Sequence, residues 1–185
     1  EVEDCAAMTA KVESLGGSIV VPSMAIPEVG FFSVVQDPSG ATFALYQGSA
    51  EHHGDWKVSR DKTGDFGWCE VSVDSVEAAK AFYEAAFGWT TTEGMGEPGR
   101  EYYMLNNGRQ PFGGLFKRPP NVPVCAWTHY VNVEDVDATT AKAEALGGTK
   151  LFGEVLPGMV HFAILQDGQG AVIGVAKSLA GPCED

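Results

Sequence analysis

The feature that most constrains this chain is that it repeats itself. Val2-Glu3-Asp4 returns as Val133-Glu134-Asp135, and Thr9-Ala10-Lys11-x-Glu13-x-Leu15-Gly16-Gly17 returns as Thr140-Ala141-Lys142-x-Glu144-x-Leu146-Gly147-Gly148. After a one-residue deletion the match resumes, with Gln36-Asp37-x-x-Gly40-Ala41 becoming Gln166-Asp167-x-x-Gly170-Ala171. A more diverged copy lies between the two. There Val73-Asp74-Ser75-Val76-Glu77-Ala78 falls on Val133-Glu134-Asp135-Val136-Asp137-Ala138, and Gly88 falls on Gly148. Copies of one segment must bury the same faces, so a structural unit read in one copy is expected in all three.

The unit reads as strand-helix-strand-strand-strand. Cys5, Met8, Val12 and Leu15 form the apolar stripe of a helix that Gly16-Gly17 ends; Val76, Ala79, Phe82, Tyr83 and Ala86 do the same ahead of Gly88, as do Val136, Thr140, Ala143 and Leu146 in the last copy. Three β-rich runs follow the first helix, Ser18 to Pro22, Phe31 to Val35 and Thr42 to Gln47, with turn chemistry at Asp37-Pro38-Ser39-Gly40. A strand precedes the second helix at Gly67 to Val73 and the third at Trp127 to Val133. The expected boundaries are an incomplete βαβββ module lacking its first strand at 1–47, a polar linker at 48–65, modules at 66–118 and 126–177 joined by the proline-rich 119–125, and a tail at 178–185. Modules two and three are expected to pack as a pair. The first leaves a sheet edge to be covered, either by a missing N-terminal module or by a partner in a homodimer.

Composition narrows the function. Acidic side chains outnumber basic ones 25 to 12, a net charge of −13, which repels nucleic acid and anionic lipid. No apolar run is long enough to span a membrane. The four cysteines, Cys5, Cys69, Cys125 and Cys183, are scattered without metal spacing and read as reduced packing thiols of a cytoplasmic protein. The adjacent His52 and His53 sit in the acidic linker, where solvated side chains are expected rather than a metal pair. Nucleotide-binding and nucleophile-elbow motifs are absent from the sequence.

Tandem βαβββ units, Phe82-Tyr83-x3-Phe87-Gly88-Trp89 closing one helix, Leu-Gly-Gly closing others, and Asp37-Pro38-Ser39-Gly40 before a last strand together resemble the vicinal-oxygen-chelate superfamily. That group includes glyoxalases, bleomycin-resistance proteins and extradiol dioxygenases. The resemblance implies an α+β fold in which tandem βαβββ modules form curved mixed sheets with helices packed outside. It also implies, for metal-dependent members, a first-strand ligand and a last-strand carboxylate from each module. Here the first-strand positions fall on Trp68 and Thr128. The last-strand positions fall on Ala44 and Gly174, with Phe112-Gly113-Gly114 in that region of copy two. The expected ligands are missing, so no metal or other cofactor is expected; the alternative is a divalent metal on a substitute set from Glu70, His129 and His161. Alternation turns His129 toward the helices.

The expected function is small-molecule binding of the drug-sequestering type, in a groove between modules. Alternation places Trp68, Glu70 and Ser72 on the ligand side of their strand and Cys69, Val71 and Val73 under the helix. Arg100, Tyr102 and Tyr103 approach from a neighbouring strand, where one tyrosine faces the ligand and one the helix. Tyr103, Thr128 and His161, the last as a proton carrier or a structural histidine, complete the candidate set. Glu70 is open between a ligand-facing carboxylate and a solvated strand residue. The rival reading is a glyoxalase-like lyase, isomerase or dioxygenase with an altered metal or acid/base site, and no catalytic residue is assigned.

Overall fold

Each copy's capping chemistry starts its helix where the repeat places it. In the computed structural model, which describes residues 1–49, 62–94, 96 and 99–180, Asp4 accepts the Ala7 N–H at 2.8 Å and Asp135 accepts that of Ala138 at 2.9 Å. Ser75 takes the same role for Ala78 in the second copy. Such caps satisfy N–H groups that the first helical turn cannot, and replacing one costs about 0.5–2 kcal/mol. The helices they open are α1 (Cys5–Ser14), α2 (Val76–Phe87) and α3 (Val136–Ala145). Gly16 and Gly147, at φ of 89° and 91°, turn the chain out of α1 and α3 through the left-handed region.

The chain divides into two compact units, Glu1–Trp56 with Glu70–Trp127, and Lys57–Cys69 with Thr128–Asp185. The first unit therefore holds copy one with most of copy two, and the second holds copy three with the opening residues of copy two's first strand. Its first sheet is antiparallel, β1 (Ser18–Ile26), β2 (Gly30–Gln36) and β3 (Thr42–Gly48) in that order. Its second contains β5 (Thr90–Glu93), β6 (Tyr102–Asn106) and β7 (Pro111–Lys117), all antiparallel, with Glu70–Val73 of β4 (Phe66–Val73) running parallel to β7. In the second unit β9 (Thr149–Leu156), β10 (Val160–Gln166) and β11 (Val172–Ser178) are antiparallel, and β8 (Trp127–Asn132) runs parallel to β11. The α+β architecture of mixed sheets and repeated βαβββ order is thus as the repeat predicts, with strand ends extended by up to four residues.

Apolar residues spaced two apart on the strands meet the helix stripes. Under α1 lie Val35 and Leu45; under α2 lie Val71, Val73, Leu105 and Leu115, around Phe82 and Tyr83. Burying each Val, Leu or Phe contributes about 1.5–3 kcal/mol. The core of the second unit is smaller, built on Val136, Ala163, Leu165 and Val175.

One polar chain fastens copy one to copy two. Asp37, 3% exposed, accepts the N–H groups of Ser39 and Ala41 on Oδ1 and the Tyr83 hydroxyl on Oδ2 at 2.8 Å. Trp127 Nε1 donates to that same hydroxyl oxygen at 3.0 Å. Burial pushes the Asp37 carboxyl above its ordinary range and, with the Asp37 charge, pushes Tyr83 far above its own. The turn of copy three keeps the motif but not the burial. There Asp167 accepts Gln169 and Ala171 N–H groups in the open, which hold its carboxyl below the usual range.

Candidate functional site

The sheet of β4, β6 and β7 shows one face to α2 and the other away from it. Val71 and Val73 lie in the core with Leu105 and Leu115, so alternation turns Glu70, Tyr102, Met104, Gly114 and Phe116 to the opposite face. Register brings them together. Glu70 stands beside Gly114 on β7, and Tyr102 stands beside Phe116. The Tyr102 hydroxyl reaches across Gly114 and donates to Glu70 Oε1 at 2.8 Å. Its ring stacks on Phe116, centroids 6.1 Å apart and planes 16° from parallel.

Gly114 makes this crossing possible. A Cβ at that position would lie 1.8 Å from the Tyr102 hydroxyl oxygen, closer than any side chain allows. The result is a carboxylate fixed by a charge-assisted hydrogen bond beside a two-ring aromatic wall. Such a bond contributes about 1.5–3 kcal/mol.

The second unit repeats the scaffold with different chemistry. Tyr130 on β8 stands beside Gly174 on β11, as Glu70 stands beside Gly114. Its ring covers the glycine, whose Cβ would fall 2.2 Å from Tyr130 Cδ1. Phe162, at the place that Tyr102 holds in copy two, meets Tyr130 edge-on at 6.0 Å and lies 5.8 Å from Phe152. The carboxylate-phenol pair is replaced by aromatic packing.

The structure distributes the sequence candidates unevenly. Glu70 lies on the face away from α2, and Trp68, two residues earlier on β4 and so of the same parity, is half-buried. Ser72 is 7% exposed, and its hydroxyl accepts the Ala126 N–H at 3.2 Å. Thr128 is half-buried on β8.

Two expected positions need correction. Tyr103 lies on the helix side, with Lys80 Nζ of α2 3.5 Å above its ring centre, and Tyr102 is the tyrosine that meets Glu70. The register of β6 against β7 decides between adjacent residues, and the sequence alone left both open. His161 also faces its helix: Nε2 is 3.7 Å from Asp137 Oδ1 on α3. His129, expected to turn toward the helices, shares the parity of Val131, which pairs with the core residue Val175; it is exposed, with its ring edge-on to Phe66 at 6.0 Å. Arg100 is exposed, and His52, His53 and Cys183 lie outside the described residues.

The residues at the positions of a divalent-metal site do not fit one. Trp68 and Thr128 replace the first-strand donors. The last-strand places at Gly114 and Gly174 carry no side chain and are filled by the Tyr102 and Tyr130 side chains. Among the described residues, no three His, Cys, Asp or Glu side chains are grouped to hold a metal ion.

Sequence reasoning missed Tyr102 as the partner of Glu70, together with the parts played by Gly114 and Phe116. A signal was present: a glycine recurs at 114 and 174 on the strand beside a first strand that carries a large or acidic residue, Glu70 or Tyr130.

Comparison with known proteins places these features. The sequence model of the Glyoxalase/Bleomycin resistance protein/Dioxygenase superfamily matches residues 65–173. The chain is 37% identical over 178 residues to CFP32 of Mycobacterium tuberculosis (strain CDC 1551 / Oshkosh), a protein named as a glyoxylase, covering 95% of this chain and 67% of that one. It is 29% identical over 152 residues to the anthracycline biosynthesis protein DnrV of Streptomyces peucetius, covering 80% of this chain and 52% of DnrV. Among solved structures, a glyoxalase I mutant from Zea mays superposes with a TM-score of 0.64 at 19% identity, over 99% of this chain and 67% of that one. At that identity the likeness concerns fold. The chain spans between 52% and 67% of the length of these three proteins.

Proposed function

Because the chain belongs to the Glyoxalase/Bleomycin resistance protein/Dioxygenase superfamily, we propose that it binds a small organic molecule on the Glu70–Tyr102 face, without a catalytic divalent metal. The observation that carries this reading is the 2.8 Å hydrogen bond from Tyr102 to Glu70 across Gly114. It joins a fixed carboxylate to the stacked Tyr102 and Phe116 rings. Aromatic area supplies affinity for a flat ligand, and the carboxylate orients a hydroxyl or attracts an amine. The relative named for anthracycline biosynthesis supports planar polycyclic molecules as candidates. The free thiols of Cys5 and Cys125 suit a reducing compartment such as the cytoplasm. No described helix is long and apolar enough to cross a membrane.

The test is a thermal-shift panel of anthracyclines, catechols and dicarbonyl-thiol adducts on metal-free protein, since a ligand that binds the native state raises its melting temperature. A shift that Glu70→Gln and Tyr102→Phe both abolish supports the reading. Stoichiometric nickel, zinc, manganese or iron in the purified protein, with binding lost on its removal, overturns it.

The same hydrogen bond favours a second reading, a lyase or isomerase in which Glu70 accepts a substrate proton and Tyr102 steadies the carboxylate. Turnover of a dicarbonyl-thiol adduct by metal-free protein, lost in Glu70→Gln, selects it over simple binding.

A further inference from the structure

The three copies differ at one corner, where the start of each helix lies over the ends of its strands. Copy two places Glu77 on the helix and Lys117 on the last strand, and copy three places Asp137 and Lys177 there. In copy three a second basic residue, His161, stands 3.7 Å from Asp137. Copy one has Ala6, Gln47 and Phe31 in the places of Asp137, Lys177 and His161. An acid and two bases have become a methyl, an amide and a ring.

The exchange opens a cleft of about 340 Å³ on the α1 side of the first sheet. Phe31 shares the parity of Ser33 and Val35, which are buried beneath α1, and it faces Ala25 in register. Ala6 and Ala25 are too short to fill the space between helix and sheet. Met24 and Phe31 line it while remaining 50% and 45% exposed, so two large apolar side chains meet water there. The volume is at the small end for ligand sites and suits a single ring. The corner does not depend on what precedes the helix. In copy three β8 leads into α3, and the Asp137 side chain is still 78% exposed.

The polar groups of the cleft are suited to accepting hydrogen bonds. Asp4 holds the Ala7 N–H on Oδ1 and keeps its second oxygen. Gln47 Oε1 holds the Cys5 N–H at 2.9 Å and keeps a second lone pair, and Ser23 adds a hydroxyl. Among the described residues no Lys, Arg or His lines the cleft. The helix end offsets only about half of the Asp4 charge, in a protein whose net charge is −13. Three acceptors around a negative charge match the three N–H groups of an ammonium.

We propose that this corner of copy one binds a small one-ring organic amine, at a site separate from the Glu70–Tyr102 face. The ammonium meets Asp4, Ser23 and Gln47, and the ring lies against Phe31 and Met24. Ring and sulfur contacts supply the affinity. The ion pair is exposed and therefore weak, so it supplies selectivity.

The experiment titrates 2-phenylethylamine into the 185-residue chain and follows backbone amides and methionine methyls by NMR. 2-Phenylethanol and 3-phenylpropanoate serve as the neutral and anionic matches. The proposal expects shifts centred on Ala6, Met24, Ala25 and Phe31, with the amine binding about twofold to fivefold tighter than the alcohol and the acid weakest. Asp4→Ser, which keeps a cap of the kind Ser75 makes in copy two, lowers the amine to the level of the alcohol. Gln47→Lys abolishes amine binding. Both variants carry residues with which a sister copy already folds. Three results overturn the proposal: shifts confined to Tyr102 and Phe116, which put the amine on the Glu70 face; equal affinity for the three probes; or amine affinity unchanged in Asp4→Ser.

Discussion

Tyr83 and Asp37 share a hydrogen bond of 2.8 Å that ties the second helix to a turn of the first copy. The bond is buried and Trp127 caps it, so each member depends on the others. Tyr83→Phe removes the donor to a buried carboxylate and the acceptor of an indole. Unfolding in urea is expected to show a loss of about 1–3 kcal/mol. Asp167→Asn, at the exposed counterpart of Asp37, is expected to change stability far less.

The two aspartates give stability opposite dependences on pH. Burial raises the folded pKa of Asp37 above its unfolded value. Its contribution is therefore complete below the unfolded pKa and declines as pH rises through the folded one. For Asp167 the folded pKa is lowered, chiefly by the Ala171 and Gln169 N–H groups, so its contribution is complete above the unfolded pKa and is lost as pH falls. Denaturation curves across the acidic range should show Asp37→Asn flattening the decline toward neutral pH and Asp167→Asn flattening the decline toward low pH.

Glu70→Gln and Tyr102→Phe are expected to weaken ligand binding by about tenfold to a hundredfold, the range for a hydrogen bond to a charged group. Titration calorimetry on both variants checks this, and Tyr102→Phe, which removes the bond, should also melt several degrees lower, in line with the about 1.5–3 kcal/mol it contributes. Equal affinity in wild type and Tyr102→Phe would remove the pair from the binding site.

Alanine at the two glycines ranks the rigidity of the faces. At Gly114 the new Cβ meets the far end of Tyr102, which is half-buried and can swing aside. At Gly174 it meets the body of Tyr130, which is 3% exposed. Gly174→Ala should cost about 1–3 kcal/mol and Gly114→Ala less, while Gly114→Ala should be the one to disturb binding. Chemical denaturation and ligand titration of both variants test the ranking.

Thr140 offers a stabilising change. In copy one the equivalent Thr9 hydroxyl donates to the Cys5 carbonyl at 2.6 Å and meets Ser33 Oγ at 2.9 Å. In copy three Ala163 replaces the serine, and the Thr140 hydroxyl is the one buried side-chain polar atom without a partner among the described residues. Thr140→Val keeps the shape and removes the stranded hydroxyl. A gain of about 1 kcal/mol is expected in the unfolding of that variant.

The helices and strands were legible because the repeat supplied three readings of one pattern. Weak periodicity in α3 is compensated by its match to α1. Facing was legible on β4, where Val71 and Val73 fix the parity of Glu70. It was not legible for Tyr102 and Tyr103, which are adjacent, both aromatic and equally suited to a core. Only the pairing of Tyr102 with Phe116 decides between them. His161 misled for a related reason: it suggests chemistry by type, but it shares parity with Ala163 and Leu165, which are buried on the α3 side. The Asp37–Tyr83 bond could not be read at all. Asp37 and Asp167 sit in the same motif, and whether a tyrosine covers either one is a property of tertiary packing.

That shared motif has a consequence for how the protein reaches its native state. An unfolding chain releases two nearly identical turns, and only the one containing Asp37 belongs beneath Tyr83. Closing the shorter loop is favoured entropically, but by a margin that grows only slowly with loop length. The native contact is thus told apart from its double by the burial that Asp37 gains beside Tyr83 and Trp127, and not by the sequence of the turn itself.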